Sequence, residues 1–560
     1  MTISELQKQI TKNNWNAYIV TRNNMFIGQD VLEEENKIKE LCGFSGSAGT
    51  LLITPETSYL LVDGRYEIQA AQETDPSVIK VICTSDSIGS WIAQNIAQNS
   101  VVAYDPLCHS INETDFWHRI LKHHIFVEDQ NHILGNRLSK KEVDIFEHNI
   151  EYSGISVEEK VSYLTSFMLK NNLDAYFLTD CDAVSWLLNL RSNCLKCTPI
   201  LRAFALIDKN GEISLFTNNI DKIEAEIAKY KDKTIGVSPN STPKTILTLA
   251  KKHKIWLHNH MNPIQKIKAK KNPIELSGFK NAHIRDAVAM CNFLCWLQTN
   301  WHNQTELSIV QKLYEYRSQQ QLFQSNSFET IAGVNANGAI VHYQPNSDTN
   351  QNLNDESLLL LDSGAQYLDG TTDITRTVAI GKISDPNIID SYTQVLKAHI
   401  AAASARFPQS VTGNTIDIIS RSVLWKYGKD YKHGTGHGVG HHLNVHEGPF
   451  SLSSYKNPNI LETGQVTSIE PGYYVEGKYG IRIENLYYIA DDLASDLATP
   501  MLKFEPLTLV PIDKSLINKY LLNQDEINWI NNYHKLVLEK IHPLLSKEVQ
   551  NWLIEATAPI

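Results

Sequence analysis

The sequence predicts a mixed α/β (α+β) chain: two related α/β domains in tandem, then a third region of different texture and a C-terminal extension. Three observations predict it: a repeated strand segment, a hairpin pattern after each copy, and a change of periodicity near residue 275. Asn16-Ala17-Tyr18-Ile19-Val20-Thr21 reappears as Asp174-Ala175-Tyr176-Phe177-Leu178-Thr179. Each copy follows a polar, helix-like stretch and precedes an apolar strand pair split by turn residues, LLITPETSYLLVDGR from Leu51 and AFALIDKNGEISLFT from Ala203. Six similar residues alone can be coincidence; the repeated order of elements is what duplication explains best.

At about 150 residues per domain, 560 residues imply about four domains. The charged stretch Gly135 to Asn149 marks one boundary, and the basic run from Lys268 with Pro273 marks a second. The expected divisions are 1–137, 138–273, 274–500 and 501–560. In the third region a helical pattern, HIRDAVAMCNFLCWLQ, gives way from Phe328 to short strands separated by Gly, Asp and His clusters. After Met501, the strand FEPLTLVPI and a helical pattern from Asp525 to Leu553 read as a docked extension.

Composition narrows the function. Hydrophobic residues at 42% are enough for several cores, and 51 basic against 62 acidic residues leave a net charge of −11, so nucleic acid is not an expected partner. No segment approaches the roughly 18 apolar residues of a membrane helix, and the start MTISELQKQI lacks both a basic cluster and an apolar core. No membrane partner and a cytoplasmic location are expected. Eight scattered cysteines do not form a disulfide framework, and the lone Cys194-x-x-Cys197 has no partner motif to complete a zinc site. Cys291 and Cys295, one helical turn apart, read as core.

Several segments of the third region put polar groups on strands or tight turns. In LLLLDSGAQYLDGTTDITRTVAIG, a buried strand, Leu358 to Leu361, leads through the turn Leu368-Asp369-Gly370 to an alternating strand. That hairpin brings Asp362 beside Asp373. Two carboxylates about 4 Å apart repel by about 4 kcal/mol at an effective dielectric of 20, so the pair needs a proton or a cation. Taken alone, a turn cap and a solvated side chain also fit. In Lys432 to Pro449, His433, His437, His441, His442 and His446 are threaded among five glycines, which permit tight turns and converging imidazoles. A flexible loop with adventitious metal affinity is the alternative. Glu470, before Pro471-Gly472, should end a strand, and Glu484 shares a strand face with Arg482, a pairing also consistent with a surface strand. Together, four carboxylates and one imidazole match a dinuclear site for two divalent ions. Oxygen-rich donors favour Mn2+, with Co2+, Fe2+ or Zn2+ as alternatives; a thiolate-type zinc site is excluded.

The motifs D-S-G-A-x-x-x-D-G-T-T-D-x-T-R-T, H-G-T-G-H-G-V-G, N-V-H-E-G-P, E-P-G-Y-Y and G-I-R-I-E-N occur in this order and resemble the signatures of the Xaa-Pro aminopeptidase (aminopeptidase P) family. The resemblance extends upstream to CGFSGSAGTLLIT and downstream to WLIEATAPI, nearly the whole chain, and is to the long, three-domain cytosolic form. It implies two creatinase-like N-terminal domains, a pita-bread catalytic domain and a C-terminal extension. It also implies a metalloaminopeptidase that releases the first residue of peptides with proline second, by attack of a hydroxide held between two ions.

Carried over by position, Asp362 would bind one ion, Asp373 and Glu484 would bridge, and His437 and Glu470 would complete the other. Glu470 is also the candidate proton acceptor. His433 resembles a substrate-contacting histidine, His446 the one beside the scissile bond, and His342, in IVHYQPN, a third non-ligand histidine. His441 and His442 are read as incidental. The N-terminal pair, lacking ligand candidates, is expected to roof the cleft and help form a homodimer, with Trp425 a candidate contact or a core residue. Prolidase and methionine aminopeptidase share the core; non-catalytic pita-bread binding modules have lost the ligands.

Overall fold

In the computed structural model of the chain, residues 1–28, 31–135, 144–217, 219–493 and 499–560 are described. They divide into two compact units: Met1–Glu147 with Ile155–Leu195 and Pro199–Gln265, and His148–Gly154 with Lys196–Thr198 and Lys266–Ile560. The expected boundary at 137/138 lies outside the described residues.

The first unit holds two sheets whose central strands are the two copies of the repeat. Ala17–Thr21 runs antiparallel to Thr50–Ile53 on one side and parallel to Val101–Tyr104 on the other. Ala175–Leu178 does the same between Phe204–Asp208 and Thr234–Val237. Each antiparallel neighbour is the first arm of an expected hairpin, paired with Ser58–Val62 and Ile213–Phe216. Helices Ile3–Lys12 and Val157–Lys170 precede the copies. The same order of helix, strand and hairpin twice over is the structural mark of duplication.

The second unit begins on the helix Pro273–Asn300, whose start is written in the sequence. Asn272 Oδ1 accepts from the N–H groups of Ile274 and Glu275, Glu275 accepts from the Asn272 N–H, and Pro273 occupies the first turn, where no donor is needed. Against it pack three antiparallel strands, Ile331–Val334, Ser357–Ser363 and Ile374–Ile380, and the outer helices Glu306–Ser318 and Pro386–Ala403. A six-stranded sheet follows in the order Arg406–Pro408, Met501–Pro506, Asn485–Asp491, Val466–Ile469, Gly436–Gly438, Glu447–Leu452.

The C-terminal segment is less an appendage than the sequence suggested. Met501–Pro506 is an interior strand of that sheet, and Val510, Ile512, Ile530 and Val537 share one apolar cluster with Phe293 and Leu359. The expected long helix is two, Gln524–Ile541 and Lys547–Ala556, because Pro543 between them cannot continue the first. All eight cysteines are free, with Cys291 buried and Cys295 half-buried. No helix among the described residues is long and apolar enough to cross a membrane.

Candidate metal centre

Strand ends and close backbone crossings position the acidic side chains. Asp362 lies near the end of Ser357–Ser363, a strand covered on both edges, with Thr375 as its register partner on the next strand. Asp373 immediately precedes that strand. Glu470 ends Val466–Ile469, where Pro471 turns the chain; its N–H donates to Thr435 O at 2.7 Å, and Ser468 Oγ donates to its Oε1 at 3.2 Å. Glu484 sits between Tyr479–Arg482 and Asn485–Asp491, takes a 2.6 Å hydrogen bond from Thr375 Oγ1, and donates its own N–H to Thr375 O.

His437 stands on Gly436–Gly438. Its Nδ1–H donates to Gly438 O at 3.0 Å, which leaves the Nε2 lone pair pointing 3.5 Å from Asp373 Oδ2 and 3.4 Å from Glu470 Oε1. The glycines here serve close packing rather than left-handed turns. A Cβ on Gly436 would lie 2.0 Å from Ser468 O, and none of Gly434, Gly436, Gly438 and Gly440 has a positive φ. Asp373, His437 and Glu484 each offer an atom within 4.8 Å of the others.

The electrostatics ask for cations. Asp373 and Glu484 are only 4% and 1% exposed. Burial, then the charges of Asp362 and Glu470, push the Asp373 carboxyl well above the usual range. Burial, then Asp373, Glu470 and Asp362, do the same to Glu484. Glu470 is raised by burial against the pull of His437 and Arg482. Asp362 Oδ1 is buried and meets no hydrogen-bond donor among the described residues. An oriented imidazole, an orphaned carboxylate oxygen and carboxylates that repel one another form a donor set that fits a pair of divalent cations.

In metal-free protein, carboxyls with raised native pKa values bind protons more tightly folded than unfolded, so their contribution to stability falls as pH rises through the raised values. Bound ions require the ionised forms. The metal-induced rise in Tm should therefore grow between about pH 5 and pH 8. Thermal scans with chelator and with manganese check it; a gap that shrinks as pH rises contradicts it.

Arg482, whose pairing with Glu484 is in the sequence equally consistent with a surface strand, is 1% exposed inside the site. Strands Tyr479–Arg482 and Asn485–Asp491 are covered on both faces, so a side chain that shares a face with Glu484 is buried with it. Its Nη2 donates to Asp362 Oδ2 at 2.6 Å, Nη1 to Tyr474 OH at 2.6 Å, and Nε to Thr375 Oγ1 at 3.2 Å. Tyr474, its phenol pushed up to about 12 chiefly by burial, keeps its proton and donates it to His433 Nε2 at 2.8 Å. His433 Nδ1–H in turn donates to Gly434 O at 2.8 Å. Arg482, Tyr474 and Thr375 are thus site residues that sequence reading missed.

Arg482→Met should destabilise the metal-free protein by about 3–5 kcal/mol, because Asp362 is left buried without its cation. Added manganese should narrow the loss, and urea unfolding with and without metal measures both.

The remaining histidines separate. The His446 ring lies 4.3 Å from that of His437 and nearly perpendicular to it. His342 is half-buried in the turn after Asn335–Ala339; that segment is pressed against Gly480, where a Cβ would come 1.7 Å from Gly338 O. His441 and His442 are buried beside His148: the His442 ring stacks on it at 5.3 Å, and the His441 ring lies tilted at 5.7 Å.

Residues 277–491 match metallopeptidase family M24, and 500–560 match the C-terminal region of peptidase M24. Residues 3–128 and 136–275 each match a creatinase/prolidase N-terminal domain. The chain is 35% identical over 606 residues to Xaa-Pro aminopeptidase 1 of Dictyostelium discoideum, covering 100% of this chain and 96% of that one. The crystal structure of X-prolyl aminopeptidase from Caenorhabditis elegans, described as a cytosolic enzyme with a di-nuclear active site, is 31% identical, with a TM-score of 0.91 over 98% of this chain and 95% of that one. Prolidase from Pyrococcus horikoshii, 22% identical with a TM-score of 0.50, covers 63% of this chain and 99% of its own, and shares the fold.

Proposed function

Because the chain belongs to the Xaa-Pro aminopeptidases of metallopeptidase family M24, we propose that it is a metal-dependent exopeptidase releasing the N-terminal residue of peptides with proline in second position. The observation that carries the reading is the convergence of Asp373, His437, Glu470 and Glu484 within a chain alignable end to end with such enzymes. Asp362, Asp373, His437, Glu470 and Glu484 would hold two divalent ions. Oxygen-rich donors favour manganese. Such ions supply Lewis acidity at a carbonyl oxygen and make water acidic enough to ionise near neutral pH.

The protein's own groups do the rest. Glu470, its carboxyl raised by burial, is suited to take the proton from the attacking water and return it to the prolyl nitrogen. That nitrogen belongs to a tertiary amide, in a ring that holds φ, and like any amide nitrogen it leaves as the amine only once it is protonated. His433 has both ring nitrogens engaged by Tyr474 and Gly434. His446, whose ring lies 4.3 Å from that of His437, is suited to donate to the carbonyl oxygen as charge develops there, with His433 and His342 left to contact the peptide.

The free cysteines and the cytosolic description of the nematode enzyme support a cytoplasmic setting. Trp425, 49% exposed at the end of Gly413–Trp425, suits a homodimer contact. Trp425→Ala should elute as a monomer on gel filtration; an unchanged dimer removes that contact. The activity is tested with Arg-Pro-Pro and the dipeptide Arg-Pro: release of arginine from the tripeptide is expected, and cleavage of the dipeptide alone identifies a prolidase.

A further inference from the structure

Two buried lysines converge on one glutamate at the base of the histidine loop. Lys268 lies in the last turn of helix Pro263–Ala269, and Lys271 just before helix Pro273–Asn300. Lys268 Nζ is 2.5 Å from Glu447 Oε2, Lys271 Nζ bonds Glu447 Oε1, and all three side chains are 1% exposed. Taking three ionised groups out of water is a poor route to stability, since apolar side chains of similar volume would serve as well. What a charged clamp supplies is direction: it holds one carboxylate at one point.

That point is one residue from His446. Glu447 opens the strand Glu447–Leu452 and is the register partner of Gly438, as His437 precedes Gly438 on the facing strand. Glu447 turns to the lysines, and His446 turns to His437, ring centroids 4.3 Å apart.

Neither partner has room to drift. A Cβ on Gly438 would lie 2.4 Å from Glu447 O, and one on Gly440 would lie 3.1 Å from Glu447 Oε2. The lysine segment is itself pinned, with the Lys271 N–H donating to Gly464 O at 2.9 Å and Lys270 Nζ 2.5 Å from Glu462.

We propose that Lys268 and Lys271 are positioning residues for the hydrolysis: by clamping Glu447 they set His446 beside His437, where it meets the scissile carbonyl. The inference rests on the reading of His446 as the donor to that oxygen. It links the segment that enters the catalytic helix to the reaction, across more than 170 residues of chain.

A double-mutant cycle tests it in the full-length, manganese-loaded enzyme with Arg-Pro-Pro. His446→Ala alone should lower kcat by about 100-fold or more, as loss of an oxyanion donor does. Lys271→Met should lower kcat by about 10-fold, with KM and metal content within about twofold of wild type. The Lys271→Met, His446→Ala double variant should be no slower than His446→Ala, because the lysine acts only through that ring.

A folded, metal-loaded Lys271→Met with wild-type kcat overturns the clamp, as do two effects that multiply, which is what a merely structural lysine gives. A fully active His446→Ala enzyme overturns the assignment of His446 itself, a different failure, and takes the clamp with it. Lys268→Met runs the same cycle, and Lys271→Gln, which keeps a donor to Glu447, does so where a methionine variant does not fold.

Discussion

Asp373→Asn lowers turnover of Xaa-Pro-Yaa peptides by about 1,000-fold or more, yet the metal-free variant melts no lower than metal-free wild type. The two halves of this expectation share one cause. Asp373 is buried beside Asp362 and Glu470, and its ionised form is disfavoured by both burial and repulsion. Asparagine keeps the shape and removes the charge, so the empty cluster is relieved rather than damaged. The same change weakens a donor that lies within 4.8 Å of those of His437 and Glu484, so affinity for the ions falls. Calorimetry on chelated protein and metal analysis after manganese reconstitution separate the halves. A variant that binds two ions and turns over normally contradicts the assignment of Asp373.

Removal of residues 501–560 should leave no soluble, folded catalytic unit. The deletion takes away Met501–Pro506, which is paired on both edges, to Arg406–Pro408 and Asn485–Asp491. It strips Leu509, Val510, Ile512, Leu516, Ile530, Val537 and Leu553 from the main apolar cluster. At about 1.5–3 kcal/mol per buried side chain, that loss alone equals or exceeds the roughly 5–15 kcal/mol by which a domain is stable. It also takes three acceptors from Arg376. That guanidinium donates to Pro511 O, Val510 O and Tyr533 OH on one side, and to Glu484 O at 2.7 Å on the other. Sedimentation and circular dichroism of the truncated chain give the answer; a soluble, active product would show the segment to be the docked extension the sequence suggested.

Local pattern made much of this molecule legible. The repeated strand segments became matching central strands because their alternatives, a helix or a surface loop, would leave Tyr18, Ile19, Tyr176 and Phe177 exposed. Pro273 ahead of a helical pattern marks the long helix in the sequence, and the Asn272 cap that starts it is closed by hydrogen bonds within four residues. Carboxylates at strand ends before a turn, Asp362 and Glu470, were readable because the turn chemistry is local.

What was not legible depends on tertiary covering. Arg482 beside Glu484 reads as a solvated pair until Ile374–Ile380 and Gly472–Val475 are known to cover it. The glycines of the histidine stretch were credited to turns, whereas they admit Ser468 and Glu447 backbone, contacts made 32 and 9 residues away. The interior place of Met501–Pro506 is likewise set by strands 11 and 95 residues earlier in the chain. Tyr474, reading as an ordinary hairpin aromatic, becomes the link between Arg482 and His433 only through those crossings.

Anomalous diffraction from crystals of the manganese-reconstituted protein tests most directly whether Asp362, Asp373, His437, Glu470 and Glu484 hold two cations. Two peaks are expected per chain, with Asp373 and Glu484 oxygens shared between them and His437 Nε2 on one. A single peak, or peaks away from these side chains in a protein that still releases arginine from Arg-Pro-Pro, would contradict it.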